Sequence, residues 1–316
     1  MKRVLVTGAN KGIGKATVQC ILEKFPDAYV FLCSRNLDRG TQALKSMLYE
    51  GPNWDSRVEV VELDVCSKES VLNVSDYLKK KFADESHPLY GIVNNAGVAA
   101  GLFDDSFSIE NLRQCLDVNV YGIKNVTDGL IGLVNPTAGG RIVNVTSASG
   151  PSFVSTCNED VQKFLIDKNT DFQALETFMN KCLDLKGGFD GYAAAGLGSG
   201  NPYGISKACA NLLTLQYSVQ YPELLVNACT PGFIETDLTK PYLIKSGKSA
   251  NDIGMLKPKL GTASILHCLF SSSIKEENGA HSGLYFGSDG VRSPLHVYRG
   301  PGDPAYDGAQ EKKWFS

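Results

Sequence analysis

The chain has 316 residues, 43% of them hydrophobic, and sets 31 Lys and Arg against 34 Asp and Glu, for a formal net charge of -3. That is enough to bury one large core, and the charge balance leaves no basic footprint for nucleic acid or an anionic membrane surface. The start, MKRVLVTGAN, turns into glycine too soon for a signal-peptide core, and no stretch approaches the roughly 20 apolar residues of a membrane span. A soluble, cytoplasmic protein with neither nucleic-acid nor membrane partner is expected. The nine cysteines are scattered singly, with no C-x-x-C and no Cys/His cluster. They read as reduced core thiols, and no metal site is expected. The N-x-S/T matches at Asn73, Asn125 and Asn144 fall in predicted helix or strand and are read as chance.

Apolar runs alternate with amphipathic segments along the chain. Residues 3–7 read as a strand, 13–25 as a helix, 29–33 as a strand and 37–49 as a helix. Short apolar strands follow at 58–63, 91–93, 142–145, 225–229 and 283–286, with helices at 67–82, 110–134 and 203–221. Continuous rather than alternating apolar strands belong to a sheet covered on both faces. The fold class is therefore α/β, a doubly wound, mostly parallel Rossmann-type sheet with its ligand crevice at the carboxyl ends of the strands.

Two segments depart from the alternation. About 55 residues separate Ser147 from Tyr203, and within them Phe172, Leu175, Phe178, Met179, Cys182 and Leu183 recur at helical spacing before a glycine-rich stretch from Gly187 to Gly200. An inserted helix followed by a flexible loop is predicted, with the whole insertion at about 151–200. At the end, Pro294, Pro301 and Pro304 with several glycines point to an extended arm over 291–316, beyond a single domain at 1–290.

Gly8, Gly12 and Gly14 follow a strand and open a helix, where small residues let the backbone approach a pyrophosphate at the positive helix end. The spacing G-x-x-x-G-x-G also suits an ordinary tight turn. The strand at 29–33 ends in Ser34-Arg35-Asn36, where an NAD-selective protein places an acid for the ribose hydroxyls and an NADP-selective one tolerates an arginine. With Lys11 in the glycine turn and Arg35 at the strand end, NADP (NADPH) is the favoured cofactor; as ordinary solvated charges, Arg35 and Arg39 would carry no such meaning.

Tyr203 and Lys207 are four apart at a helix start and share one face. A tyrosine titrates at about 10 in water, so as a proton donor and acceptor at neutral pH it needs a nearby cation, and Lys207 can supply it. Alone, the same spacing also describes a helix surface. Ser147 closes the strand at 142–145, where it can hydrogen-bond a carbonyl or merely cap a turn. Asn119 lies inside a predicted helix, where asparagine is unfavourable unless a hydrogen bond accounts for it.

These residues together resemble the short-chain dehydrogenase/reductase family, in its carbonyl-reductase branch, over roughly residues 1–290. The resemblance rests on Thr7 to Gly14 (TGANKGIG), Leu63 to Val65, Asn94 to Gly97 (NNAG), Asn119, Ser147, Tyr203 with Lys207, and Pro231 to Thr236 (PGFIET). It implies a tetrad: Tyr203 as acid, Lys207 lowering its pKa and holding the nicotinamide ribose, Ser147 orienting the carbonyl, Asn119 positioning a water. Gly8, Asn10, Lys11, Gly12, Ile13, Gly14, Ser34, Arg35 and Arg39 would hold the phosphates and the adenosine ribose. Asp64 and Val65 would flank the adenine, Asn94, Asn95, Ala96 and Gly97 would line the ribose, and Pro231, Gly232, Ile234 and Thr236 would hold the nicotinamide. Thr146 stands where a serine is frequent, and the tail after Phe286 is longer than in typical members.

The activity implied is NADPH-dependent reduction of an aldehyde, ketone or quinone. The alternatives are an NAD-dependent alcohol or hydroxysteroid dehydrogenase, which the missing acid disfavours, and a non-catalytic cofactor-sensing protein, whose tetrad would usually be broken. Relatives without the insertion associate through the helices corresponding to 203–221 and 110–134. The helix at 172–185 is expected to cover that surface and leave a monomer, with the glycine-rich loop walling the substrate cleft and Tyr192, Phe233 and Tyr242 touching substrate.

Overall fold

The computed structural model of the chain describes residues 1–103, 107–275 and 282–315. Eight strands form one sheet: β1 (Lys2–Val6), β2 (Ala28–Ser34), β3 (Val58–Glu62), β4 (Gly91–Asn94), β5 (Arg141–Val145), β6 (Leu225–Cys229), β7 (Tyr285–Phe286) and β8 (Arg292–Ser293). Their order is β3-β2-β1-β4-β5-β6-β7-β8, parallel except for the last pair. The order reverses between β1 and β4, so the crevice opens where their carboxyl ends diverge.

The helices are α1 (Gly12–Lys24), α2 (Leu37–Glu50), α3 (Lys68–Lys81), α4 (Ile109–Leu116), α5 (Gly122–Leu130), α6 (Ser149–Val154), α7 (Glu159–Ile166), α8 (Phe172–Asp184), α9 (Gly188–Ala194), α10 (Pro202–Gln220), α11 (Lys240–Ser246), α12 (Ala263–Phe270) and α13 (Ala309–Phe315). Alternate residues of each strand serve opposite faces. Leu5, Phe31, Ile92 and Ile142 pack on the side of α3, α5 and α10, while Val6, Leu32, Val93 and Val143 pack on the side of α1 and α12. All eight are fully buried, which is why the strands read as unbroken apolar runs. Every cysteine is free and all but Cys66 are buried. Among the described residues no helix is long and apolar enough to cross a membrane.

Three expectations are corrected. The single helix predicted over 110–134 is divided: α4 passes into a π-turn at Asp117–Tyr121 and then into α5. The insertion holds four helices rather than one helix and a loop, because Asn158 and Asp171 cap α7 and α8 and Gly187, at φ +89°, starts α9. The arm at 291–316 is folded rather than extended: Arg292–Ser293 pair with β7, and Trp314 of α13 packs against the core and His296. Its proline-rich middle is tied by Arg299, whose guanidinium donates to both oxygens of Asp289 at 3.2 and 2.6 Å and to the Pro304 carbonyl at 3.1 Å. Ser316 lies outside the described residues.

Candidate active site

The glycine turn is shaped by close approach. A methyl group on Gly14 would sit 2.4 Å from Asn95 Nδ2 and 2.7 Å from the Gly8 carbonyl, and one on Gly8 would sit 2.9 Å from Ala96 Cα. Gly8 and Gly12 also have φ of +61° and +56°, which side chains resist. Asn95 explains the crowding: its Nδ2 donates to the Thr7 carbonyl at 2.8 Å, while Thr7 Oγ1 accepts the N–H groups of Asn95 and Ala96, both at 3.0 Å. The carboxyl ends of β1 and β4 are thereby laced together. No side chain caps the first turn of α1, so its N–H groups face the cleft available to an anion.

The cleft above this turn has a volume of about 850 Å³, within the range of ligand sites. One end is lined by Gly8, Asn10, Lys11, Gly12, Ile13, Gly14 and Arg35, the middle by Asp64, Val65, Asn95, Ala96 and Gly97, and the other end by Tyr203, Lys207, Pro231 and Thr236. Arg35 is exposed on this lining. The small residues, the uncapped helix and the arginine fit a dinucleotide phosphate and a 2′-phosphate.

Asn201 caps α10 by accepting the Gly204 N–H at 2.8 Å, and Pro202 occupies the first helical position. This places Tyr203 and Lys207 on the helix's cleft face. Lys207 is buried, its Nζ donates to the Val145 carbonyl at 3.0 Å, and it lies 5.5 Å from the centre of the Tyr203 ring. Burial drives the ammonium down to about 8. Burial likewise pushes the Tyr203 phenol up to about 12, against the pull of a hydrogen bond from Ser147. Ser147 is half-buried and its Oγ accepts the Ser149 N–H at 3.1 Å. In this arrangement Ser147, rather than Lys207, is the neighbour that draws the tyrosine down.

Asn119 is fully buried in the π-turn. Its Oδ1 accepts the Val98 N–H at 3.0 Å, and its Nδ2 donates to the Val98 carbonyl and to Ser206 Oγ, both at 2.9 Å. A π-turn adds one residue to the helical rise, and here it swings the carboxamide onto the Val98 backbone.

Several expected contacts lie off the cleft. Tyr192 is fully buried, donates its hydroxyl to the Cys182 carbonyl and packs on Phe107, so it belongs to the core and not to a substrate wall. Asn94 is buried at the end of β4 and donates to Asn144 Oδ1 and Thr127 Oγ1. Ser34 turns its hydroxyl to the Asn36 carbonyl, and Arg39 is exposed on the first turn of α2, its N–H held by Asn36 Oδ1 at 2.9 Å. Ile234 is buried against Gly261. Gly232, at φ +90°, is backed by Ser288 rather than facing the cleft.

Phe233 and Tyr242 come together, ring centres 5.7 Å apart, and Tyr242 reaches Phe103 at 5.1 Å, but neither ring is part of the cleft lining. The sequence reading named Thr7 only within the glycine motif and gave it no role, and it missed Val98, Ser206 and Asp237. Asp237 lines the cleft and pairs with Lys11 at 2.6 Å, an exposed contact.

The profile of the short chain dehydrogenase family matches residues 2–157. Carbonyl reductase [NADPH] 1 of Sus scrofa is 31% identical over 254 residues, covering 77% of this chain and 81% of the relative. Carbonyl reductase [NADPH] 3 of Rattus norvegicus is 31% identical, covering 75% and 83%. Among solved structures, salutaridine reductase from Papaver somniferum superposes with a TM-score of 0.70 at 24% identity, covering 90% of this chain and 99% of that one. The NADPH-bound carbonyl reductase from chicken fatty liver has a TM-score of 0.63 at 19% identity, covering 93% and 98%. The two structures share the fold. With the sequence relatives, the glycine turn and the Tyr203–Lys207 face, they make this chain an oxidoreductase of the short-chain dehydrogenase family, on its carbonyl-reductase-like branch.

Proposed function

We propose that the chain reduces the carbonyl group of an aldehyde, ketone or quinone to an alcohol with NADPH. The observation that carries this reading is the pairing, in one cleft, of a glycine turn and Arg35 with a half-buried Tyr203 beside a buried Lys207. The names of the 31%-identical relatives support the same chemistry.

When bound, NADPH supplies a hydride to the carbonyl carbon. Tyr203 keeps its proton at neutral pH, since burial holds its pKa at about 12, and donates it to the developing alkoxide. Ser147 hydrogen-bonds the same oxygen and fixes its direction. Lys207, below pH 8 an ammonium, would donate to a ribose hydroxyl beside its bond to the Val145 carbonyl and keeps a positive charge behind the tyrosine. Asn119 holds the Val98 backbone at the wall of the cleft, and a water for reprotonation would have to use its remaining acceptor capacity or its carbonyl. Arg35 would hold the 2′-phosphate, and Lys11 would reach the phosphates by leaving its exposed pairing with Asp237.

The test is the oxidation of NADPH and NADH with a panel of aldehydes, ketones and quinones. NADPH should be preferred by roughly ten- to a hundredfold, the worth of a charge-assisted hydrogen bond, and Arg35→Asp should shrink or reverse the ratio. Equal use of NADH would overturn the cofactor assignment. Tight NADPH binding without turnover on any carbonyl would leave a cofactor-binding protein instead of a reductase.

A further inference from the structure

Ser206 is fully buried, directly before Lys207 on α10. Its hydroxyl donates to the Tyr203 carbonyl at 2.8 Å and accepts Asn119 Nδ2 at 2.9 Å. We propose that Ser206 is a positioning residue for the proton donor: it registers the turn of α10 carrying Tyr203 against the π-turn carrying Asn119, and through Asn119 against the Val98 wall of the cleft.

The inventory of bonds is what makes the serine more than a helix residue satisfying its own turn. Asn119 has two side-chain N–H hydrogens and spends one on the Val98 carbonyl, while its Oδ1 takes the Val98 N–H, closing a two-bond clamp on a residue of the cleft lining. The other hydrogen goes to Ser206. The Ser206 hydroxyl then gives its own proton to the carbonyl of Tyr203. Donor and acceptor directions along Val98, Asn119, Ser206 and Tyr203 agree, so each member is oriented by the next. From the π-turn at Asp117–Tyr121 the carboxamide bonds Val98, in the loop after β4, and Ser206 on α10 at once. Removing the hydroxyl strands a buried amide hydrogen on Asn119 and frees the Tyr203 turn to shift against the Val98 wall. A displacement of even 1 Å at a reacting centre costs on the order of 10²-fold in rate.

This inference rests on Tyr203 as the proton donor, so the experiment carries Tyr203→Phe beside Ser206→Ala. Carbonyl reduction is measured with the best substrate of the panel, per NADPH-binding site titrated by fluorescence. Ser206→Ala should lower kcat about tenfold or more while leaving the Kd for NADPH within about twofold, since the serine touches neither cofactor nor substrate. Ser206→Thr, which keeps the hydroxyl, should recover most of that loss. A kcat within twofold of the parent in Ser206→Ala, or no recovery in Ser206→Thr at unchanged NADPH affinity, overturns the coupling. If Ser206→Ala does not fold, Ser206→Cys is judged by the same thresholds. Should Tyr203→Phe turn over normally, it is the proton-donor assignment that fails; an inactive Tyr203→Phe beside a fully active Ser206→Ala condemns the coupling alone.

Discussion

At the glycine end of the cleft backbone meets backbone: Gly8, Gly14, Thr7 and Asn95 lie so close that no side chain could enter, and the charged groups beside them, Lys11, Arg35 and Asp237, stay exposed. At the tyrosine end the crowding is electrostatic, because a half-buried phenol stands beside a buried ammonium, with Val145 and Ser147 as their polar neighbours. The two ends fail differently. A change at the first should act on cofactor binding and stability through shape, whereas a change at the second should act on the chemical step through proton and charge.

The sharpest break between them is Tyr203→Phe. The ring and its packing on α10 stay, and only the hydroxyl is lost, so the fold and NADPH affinity should survive. Carbonyl reduction should fall by at least about 10²-fold, the contribution of a general acid. Single-turnover rates on the NADPH-loaded variant check this, and near-normal turnover would remove Tyr203 from the mechanism.

Gly14→Ala tests the opposite end. The added methyl meets Asn95 Nδ2 at 2.4 Å, and Asn95 cannot move without giving up its hold on Thr7. Overpacking of this kind costs about 1–3 kcal/mol. Thermal unfolding and NADPH titration should therefore fall together, with affinity reduced roughly tenfold, while kcat at saturating NADPH changes little. A variant with parental melting and affinity would mean that the Thr7–Asn95 lacing is not tight.

The difference between the ends also explains what was legible in the sequence. The glycine turn and the Tyr203–Lys207 face are set by residues within a few positions of one another, so their spacing carries their geometry. Asn119 was visible as an unusual helix residue, but the π-turn that carries it and the Val98 backbone that receives its carboxamide, 21 positions away, leave no local pattern. Asp237 reaches Lys11 across 226 positions, and no local pattern foretells that pair. Tyr192 lay in a stretch whose glycines suggest a loop, yet those at positive φ start and end a short helix that turns the ring inward. In the arm, prolines and glycines suggested extension, and the pair between its Arg299 and Asp289, just ahead of it, folds it back.

The tyrosine end, and not the glycine end, should respond to pH. Burial lowers Lys207 to about 8, so the ammonium is present below that pH and is lost as pH rises through it. Tyr203, raised to about 12, keeps its proton over the same interval and adds no limb there. The kcat/KM for NADPH, which reports the free enzyme, should be flat from pH 6 to about 7.5 and then decline towards tenfold per unit above about pH 8. A profile flat to pH 10 would show that the Lys207 charge is not needed for productive binding.

The smallest effect expected is none at all, in the mass of the protein in solution. The insertion differs from both ends of the cleft in touching neither; its role is cover. Leu175, Met179 and Cys182 on the inner face of α8 are fully buried, and α8 packs on α10 and α4 within the same chain. Tyr121 at the end of the π-turn meets Phe172 edge-on at 6.1 Å, and Lys124 of α5 lies 4.5 Å from the centre of the same ring. Burying such side chains contributes about 1.5–3 kcal/mol each, and a second chain docking on α4 and α10 would first have to displace them. We therefore propose a monomer. Light scattering at micromolar concentration should return the mass of one chain, unchanged by NADPH. A dimer mass would show that α8 decorates the surface and that association uses another face, while the assignments at both ends of the cleft would stand.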